Sequence, residues 1–524
     1  MKKSLMTLVT FASLATLLVF TSCKKENTLG NGTQFRATVE NCTSQNGKTV
    51  LDGFNLNWVA GDQIAIYGTA GVGIYSATPQ TPATVAIFDN VSGSTGDGPF
   101  RAIYPFTLTT DGVNVTLPST QTYVEGSINE FPMYAESSNE ELSFKNLCGV
   151  LKLHLTKANT SISSIEVVTN SEVNGTFSVS YNSGVPVLTY VSGGTNSVML
   201  NCTTAQDISE GADFYITLPA TFDSVRSITL TADNGFVCTK KVKNTSQINV
   251  SRSQYTLVTL GENDLEFRPV GSKGGLFTIN ADGDQVWFSQ GNLQYQASTD
   301  TWRFAEHQYE YVGDATYGNV YEGGVKCNND LISNTYSGWI DLFGWGTGNN
   351  PTLTSYNHLD YSTFTDWGVN AISNGGGEPN TWRTLSSSEW YYLLNTRANA
   401  SEKRSTGMVN GVLGAIILPD SWTLPEGCTF IANSRAAFNN YTLAQWAAME
   451  EAGATFLPFT GDRWFTSAGH VSNYGYYWLS TPYTMNSSSA HAHFISIHDG
   501  GIATSDGGYY RAYGLSVRLI RNNN

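Results

Sequence analysis

The stretch Trp58-Val59-Ala60-Gly61-Asp62-Gln63-Ile64-Ala65-Ile66-Tyr67 decides how the first half of the chain is read. Gly61 and Asp62 stand between an apolar run that begins at Leu56 and a second run over 64–67, which predicts a hairpin. The same texture extends outward in both directions. Upstream, Phe35-Arg36-Ala37-Thr38-Val39 alternates. Downstream, Leu142 and Phe144 lead to Leu151, Leu153 and Leu155, with Lys152 and His154 on the opposite face of a half-buried strand. Stretches 162–168, 214–218 and 227–231 repeat the pattern. No window before residue 262 combines helical periodicity with caps, so a pair of β-sandwiches is the economical fold.

Composition agrees. The chain has 524 residues, which at about 150 per domain allows three or so domains. Only 14% of residues are charged, against roughly 25% in an average soluble protein, while glycines number 51 and tyrosines 27. Such a chain is expected to be β-rich and extracellular. The 28 basic and 43 acidic residues leave a net charge of -15, so no nucleic-acid partner is expected.

Lys2 and Lys3 precede an apolar run over 5–20, which suits a secretory signal and is too short for a stable membrane span. The run ends at Thr21-Ser22-Cys23. This ending resembles a bacterial lipobox, with Phe20 where leucine is usual, and implies a lipid on Cys23 that anchors the chain at the outer membrane. Residues 1–23 are then the signal peptide and 24–33 a polar tether. The remaining cysteines, Cys42, Cys148, Cys202, Cys238, Cys327 and Cys428, permit three disulfides in fifteen full pairings, or buried free thiols. No C-x-x-C occurs, so neither a zinc site nor a redox motif is suggested.

Five motifs carry a resemblance in the first half. They are Phe35-x-Ala37, the 58–67 stretch, Tyr104-Pro105, Pro132-Met133-Tyr134-Ala135 and Leu142-x-Phe144-Lys145-Asn146-Leu147-Cys148. In order and spacing they resemble the fimbrillin-like lipoproteins of Bacteroidales over about residues 34–262. The resemblance implies two tandem transthyretin-like β-sandwiches, 34–138 and 139–262, in a pilus subunit, anchor or tip. It also implies partnership with other fimbrillin subunits by strand exchange after a protease removes an N-terminal strand. Arg36 lies where a trypsin-like protease could cut, but one arginine is weak evidence and a solvent-facing strand residue is the favoured reading.

After Glu266 the texture changes. Tryptophan and glycine cluster at Trp287, Trp302, Gly338-Trp339, Phe343-Gly344-Trp345-Gly346 and Trp367-Gly368. Ser386-x-x-Glu389 is a capping box ahead of a short helix to about Arg397, and Thr442-x-x-Gln445 a second box ahead of a helix ending near Gly453. Strands are predicted at 456–457, 476–480, 494–497 and 515–520. The motifs Gly291-Asn292-Leu293-Gln294-Tyr295, Trp382-Arg383-x-Leu385-Ser386-x-x-Glu389-Trp390, Gly475-Tyr476-Tyr477-Trp478-x-Ser480-Thr481 and Ser516-Val517-Arg518-Leu519-Ile520-Arg521 resemble a paralogous surface domain first named from Fibrobacter. That domain is of C-type-lectin-like fold, beside the formylglycine-generating enzymes and the variable proteins of retroelements. The expected fold class is therefore mainly β: two sandwiches followed by an α+β C-type-lectin-like head over 265–524.

Chemical motifs are few. Glu378-Pro379-Asn380 imitates a calcium and sugar tripeptide but lies on the wrong side of the capping box, and reads as a turn. Asn280-Ala281-Asp282-Gly283-Asp284 lacks the glutamate that closes a calcium loop, and reads as a hairpin turn. His491 and His493 share a strand face, but His498 has the wrong parity to join them, so no metal is expected. G-x-S-x-G, H-E-x-x-H and phosphate-cradling loops are missing, and no cysteine follows Cys428, where the formylglycine-generating relatives carry theirs. No catalytic residue, enzymatic activity or cofactor is expected.

What remains is aromatic surface. Trp464, Tyr474, Tyr483, Tyr509, Tyr510, Arg511 and Tyr513 fall in loops before or between the last strands and form the expected ligand face, for a glycan or a protein. In the retroelement variable proteins the segment before the terminal strand holds the ligand. Tyr477, Trp478, Val517 and Leu519 are expected in the core. The expected whole is a non-catalytic, lipid-anchored surface adhesin, a fimbrial tip or accessory subunit. The alternative is a surface glycan-binding lipoprotein serving nutrient uptake.

Overall fold

The computed structural model describes residues 34–44, 56–108, 111–128, 131–156, 158–222, 224–242, 247–485, 488–504 and 507–523; the signal peptide, Cys23 and the tether lie outside the described residues. The chain is mainly β, with 46% strand and 9% helix.

Eight strands within residues 35–146 form one sheet. Its order is Glu141–Ser143, Phe35–Thr38, Val85–Gly93, Gly71–Ala77, Gln63–Gly68, Phe100–Tyr104, Met133–Ser137 and Lys145–Asn146. The two edge strands are separated in sequence by Phe144 alone, so the sheet must curl until its edges nearly meet. Inside the curl lie Phe35, Trp58, Phe88, Phe100 and Phe144, all at 3% exposure or less. Trp58 is fixed there by its indole N–H, which donates to the Ala37 carbonyl at 3.2 Å.

The hairpin expected at Gly61-Asp62 takes a different partner. Val59 to Asp62 do form a turn, with Gly61 at φ +94° and the Asp62 carboxylate accepting the Val59 N–H at 2.8 Å. Yet Gln63–Gly68 pairs with the following strand, Gly71–Ala77, while Trp58 only bridges Ala83.

In the next part of the chain, Cys148–Leu155 pairs along its length with Ala212–Pro219 and runs parallel to Gln254–Leu260. A seven-stranded sheet that includes Ser161–Thr169, Val225–Ala232 and Ser197–Asp207 supplies the other half of a shared core of Leu151, Leu153, Ile165, Val167, Phe214 and Leu230. Lys152 and His154 point away from that core and both reach Asp213, at 2.7 Å each. Pairing crosses residue 138 in both directions: Asn114–Leu117 joins Gly175–Asn182, and Glu141–Ser143 joins Phe35–Thr38.

The C-terminal region closes on itself. Gln285–Phe288 pairs antiparallel with Ile520–Asn522, in register Val286 to Asn522, so the beginning and end of the region share one ladder. Both capping boxes form. Ser386 and Glu389 cap the helix Ser387–Tyr391, which continues as a π-helical turn over Tyr392–Thr396, and Thr442 and Gln445 cap Leu443–Glu451. Trp302, Trp345, Trp367, Trp382 and Trp478 pack in one core, and Trp390 in another, so these two cores hold half of the twelve tryptophans.

One expected strand is missing. Residues 515–519 are buried, Ser516 and Arg518 included, but are held by isolated bridges from Leu515 to Phe343 and from Ser516 to Tyr477. The ladder resumes only at Ile520. The backbone here bonds to several segments in turn, the Val517 and Leu519 carbonyls accepting from the Leu293 and Ser289 N–H groups at 3.0 and 2.9 Å, while the Arg518 guanidinium donates to the Ser289 and Phe456 carbonyls. The six described cysteines are free thiols, four of them buried. Among the described residues no helix is long and apolar enough to cross a membrane.

Candidate ligand face of the C-terminal region

Trp464 ends the strand Asp462–Trp464, which pairs with Ser467–Gly469 on one side and Tyr513–Gly514 on the other. Trp464 and Tyr513 therefore stand directly opposite, their rings 4.5 Å apart. From this pair the rings run on in both directions. Tyr513 meets Tyr509 at 4.9 Å, Tyr509 meets Tyr476 at 5.4 Å, and Tyr476 stacks on Tyr474 at 5.8 Å and 7°. On the other side Trp464 meets Tyr356 at 5.4 Å, and Tyr356 stacks on Phe465 at 4.2 Å. Tyr510 joins through Trp464 at 6.1 Å and abuts His358 and His491 at 5.9 and 5.5 Å.

Four separate stretches thus converge on one aromatic face. Tyr356 at 55%, Tyr474 at 39% and Trp464 at 38% exposure form its open surface, while Tyr509, Tyr510 and Tyr513 are half-buried beneath. Edge-to-face and tilted contacts of this kind add about 0.5–1.5 kcal/mol each beyond area burial, so the rings hold one another in place.

A buried carboxylate anchors the face. Asp462, 3% exposed, accepts the Tyr509 hydroxyl at 2.5 Å through one oxygen and lies 3.0 Å from His470 Nδ1 through the other. Burial, reinforced by Asp462, pushes the Tyr509 phenol well above its usual range, so Tyr509 remains a donor at any physiological pH. Burial also lowers the His491 imidazole, helped by the Arg511 charge, which favours a neutral ring beside Tyr510.

Arg511 corrects the expectation of an exposed contact. It is 4% exposed, its guanidinium 4.1 Å over the Trp345 ring, and its Nε donates to the His491 carbonyl at 2.9 Å. Its alternation with Tyr510 turns it inward, where it braces the face from behind. Tyr483 lies farther along the hairpin Gly475–Met485 and Ser488–His498, with its ring 5.1 Å from His493. Tyr477, Trp478, Val517 and Leu519 are core, at 1% exposure or less. Arg36 is exposed in the strand Phe35–Thr38 and pairs with Glu141 at 2.8 Å.

Sequence reasoning misses Tyr356, Phe465 and Asp462. Tyr356 is more than 100 residues away from its ring partners, and Phe465 adopts φ +55°, which no residue-type pattern announces. Asp462 lies between Gly461 and Arg463 in a stretch without a chemical motif, so nothing in the residues announces its role.

The remaining motifs resolve as turns. Asn280 and Asp284 satisfy each other, the Asp284 N–H donating to Asn280 Oδ1 at 3.0 Å with Gly283 at φ +88°. Thr381 Oγ1 donates to the Glu378 carbonyl at 2.8 Å. Among the described residues, the group of potential metal ligands is Glu306, His307 and Glu310. Glu310 there accepts the Glu306 and His307 N–H groups at 2.9 and 3.3 Å, so its carboxylate closes a solvent-facing turn.

No protein-family profile and no curated protein matches the chain. Solved structures resemble it distantly. A Bacteroides uniformis protein provisionally assigned to cell adhesion is 18% identical, with a TM-score of 0.28, over 45% of this chain and 95% of its own. A fimbrial protein of Bacteroides ovatus is 10% identical, with a TM-score of 0.23, over 94% of this chain and 100% of its own. The tip fimbrial protein Mfa3 of Porphyromonas gingivalis, truncated at its C-terminus, is 11% identical, with a TM-score of 0.20, over 45% and 99%. Likeness at this level is too low to carry either fold or function across to this chain.

Proposed function

We propose that the chain is a non-catalytic surface adhesin whose C-terminal region presents an aromatic face to a glycan or protein ligand. The connected cluster built on Trp464, Tyr356 and Tyr474 carries this reading. Exposed aromatic rings held in place by their neighbours offer large contact area at little entropic cost. Their scaffold is already rigid, so binding need not pay to order it.

The architecture follows the same proposal: fimbrillin-like sandwiches in the first half, and a C-type-lectin-like head from about residue 265. Support for the head comes from the ladder that joins its two ends, Val286 to Asn522, and from its two capped helices. Lipid on Cys23 holds the body at the outer membrane. A head behind the second sandwich would obstruct donation of a C-terminal strand, which favours a tip or accessory position, with other fimbrillin subunits as neighbours.

Immunogold labelling of intact cells tests the placement. Gold at the cell surface or at fimbrial ends is expected. Label repeated along a fimbrial shaft, or confined to the periplasm, would refute it.

A further inference from the structure

We propose that a polar cleft between the 298–302 turn and the 348–352 loop is a second site, one that takes a neutral pyranose. It is separate from the aromatic face and does not depend on that face binding anything. The cleft measures about 320 Å³, at the lower end of the roughly 300–1,000 Å³ of small-molecule sites.

Its chemistry is polar. Tyr295 and Trp302, their rings 4.6 Å apart and each more than nine-tenths buried, close its base. Around it stand asparagines and one aspartate. A sugar hydroxyl both donates and accepts, and a side-chain amide answers both needs.

The unused valences are specific. Asp300 accepts the Tyr295 hydroxyl at 2.9 Å through Oδ1, and its second oxygen has no partner among the described residues. Asn370 spends its NH₂ on the Gly348 and Trp367 carbonyls at 2.8 and 3.1 Å, leaving Oδ1 to accept. Asn334 Oδ1 takes the Thr352 hydroxyl, leaving its NH₂ to donate. The Asn349 amide has no hydrogen-bond partner among the described residues and lines the cleft from an exposed position.

The walls are held before any ligand arrives. Asp300 adopts φ +50°, a conformation that aspartate tolerates, and Thr347 Oγ1 donates to the Gly344 carbonyl at 2.8 Å to close the loop opposite. No lysine or arginine lines the cleft and a carboxylate does, so acidic sugars are disfavoured. Only one carboxylate lines the cleft, and on this proposal contact with the sugar is direct and independent of calcium.

The test applies the full chain to a printed array of neutral and acidic glycans, then titrates the tightest neutral binder by calorimetry. Asp300→Asn keeps the backbone conformation and Asn349→Ala removes an exposed amide. Each is expected to weaken binding about tenfold or more, the worth of roughly one good hydrogen bond to a charged or paired group, at an unchanged melting temperature. Added EDTA is expected to leave it unchanged. Failure to bind any neutral glycan, binding retained in both cleft variants, or loss with EDTA would overturn the proposal.

Discussion

Asp462 accepts the Tyr509 hydroxyl at 2.5 Å, and this one bond ties the strand that carries Trp464 to the strand that carries Tyr510. Because Asp462 is 3% exposed, water cannot replace a lost donor. Tyr509→Phe therefore strands a carboxylate oxygen and is expected to cost about 1–3 kcal/mol. Urea unfolding of the two proteins measures it. Tyr510→Phe, whose hydroxyl lies 3.3 Å from His358 Nδ1 on the half-buried rim, is expected to change little.

Arg511 separates bracing from binding. Its guanidinium covers Trp345 and caps the His491 carbonyl while almost wholly buried. Arg511→Ala is expected to destabilise by about 2–4 kcal/mol, from lost packing and unpaired carbonyls. Arg511→Lys is expected to recover part of this, since a lysine keeps the charge but not the planar fork. Chemical denaturation curves for both variants decide it.

Glu40 makes the first sheet's entry pH-sensitive. Burial raises its carboxyl, but the Arg252 fork at 2.6 and 3.2 Å and the Asn146 N–H at 3.0 Å outweigh that and leave it below its ordinary 4.5. A carboxyl depressed in the folded state contributes stability that is present above its unfolded value and lost as pH falls through its folded value. Glu40→Gln is expected to melt below the native chain at pH 7. The gap is expected to close as pH falls below the ordinary 4.5 and through the lowered folded value, where the native carboxyl itself protonates. Melting temperatures across pH 3–7 give the answer.

The thiols are expected to be slow. Burial raises Cys202 to about 11 and Cys42 to about 12, which leaves little thiolate at pH 8. Iodoacetamide without reductant is expected to label the native chain poorly. In guanidinium it should label all six cysteines beyond Cys23. Mass spectrometry counts the adducts, and fewer than six would reveal a disulfide.

Some of this architecture is legible in the residues and some is not, for physical reasons. The capping boxes at Ser386 and Thr442 are local: four residues contain both donors and both acceptors, so both form as expected. The Asp282-Gly283 turn is local too. The turn at Gly61 is equally visible, but which strand it serves depends on the curled sheet, and Gln63–Gly68 finds its partner downstream. Alternation marks 515–519 as a strand, but its backbone bonds go in turn to Phe343, Tyr476, Leu293 and Ser289, a choice of partners that only the assembled fold makes. The tyrosines and Trp464 are visible by type. Their organiser Asp462 and their neighbour Tyr356 are brought to them only by long-range pairing, as are the amides that line the cleft beside Asp300.

The most direct test of the aromatic face compares the full chain with its Trp464→Ala variant on an array of glycans and extracellular-matrix proteins. Trp464 is 38% exposed, so its removal is expected to leave the melting temperature within a few degrees. The expected result is at least one ligand bound by the native chain and weakened tenfold or more in the variant, the loss of a central aromatic anchor. Equal binding by both proteins, or no binding by the native chain, would contradict it.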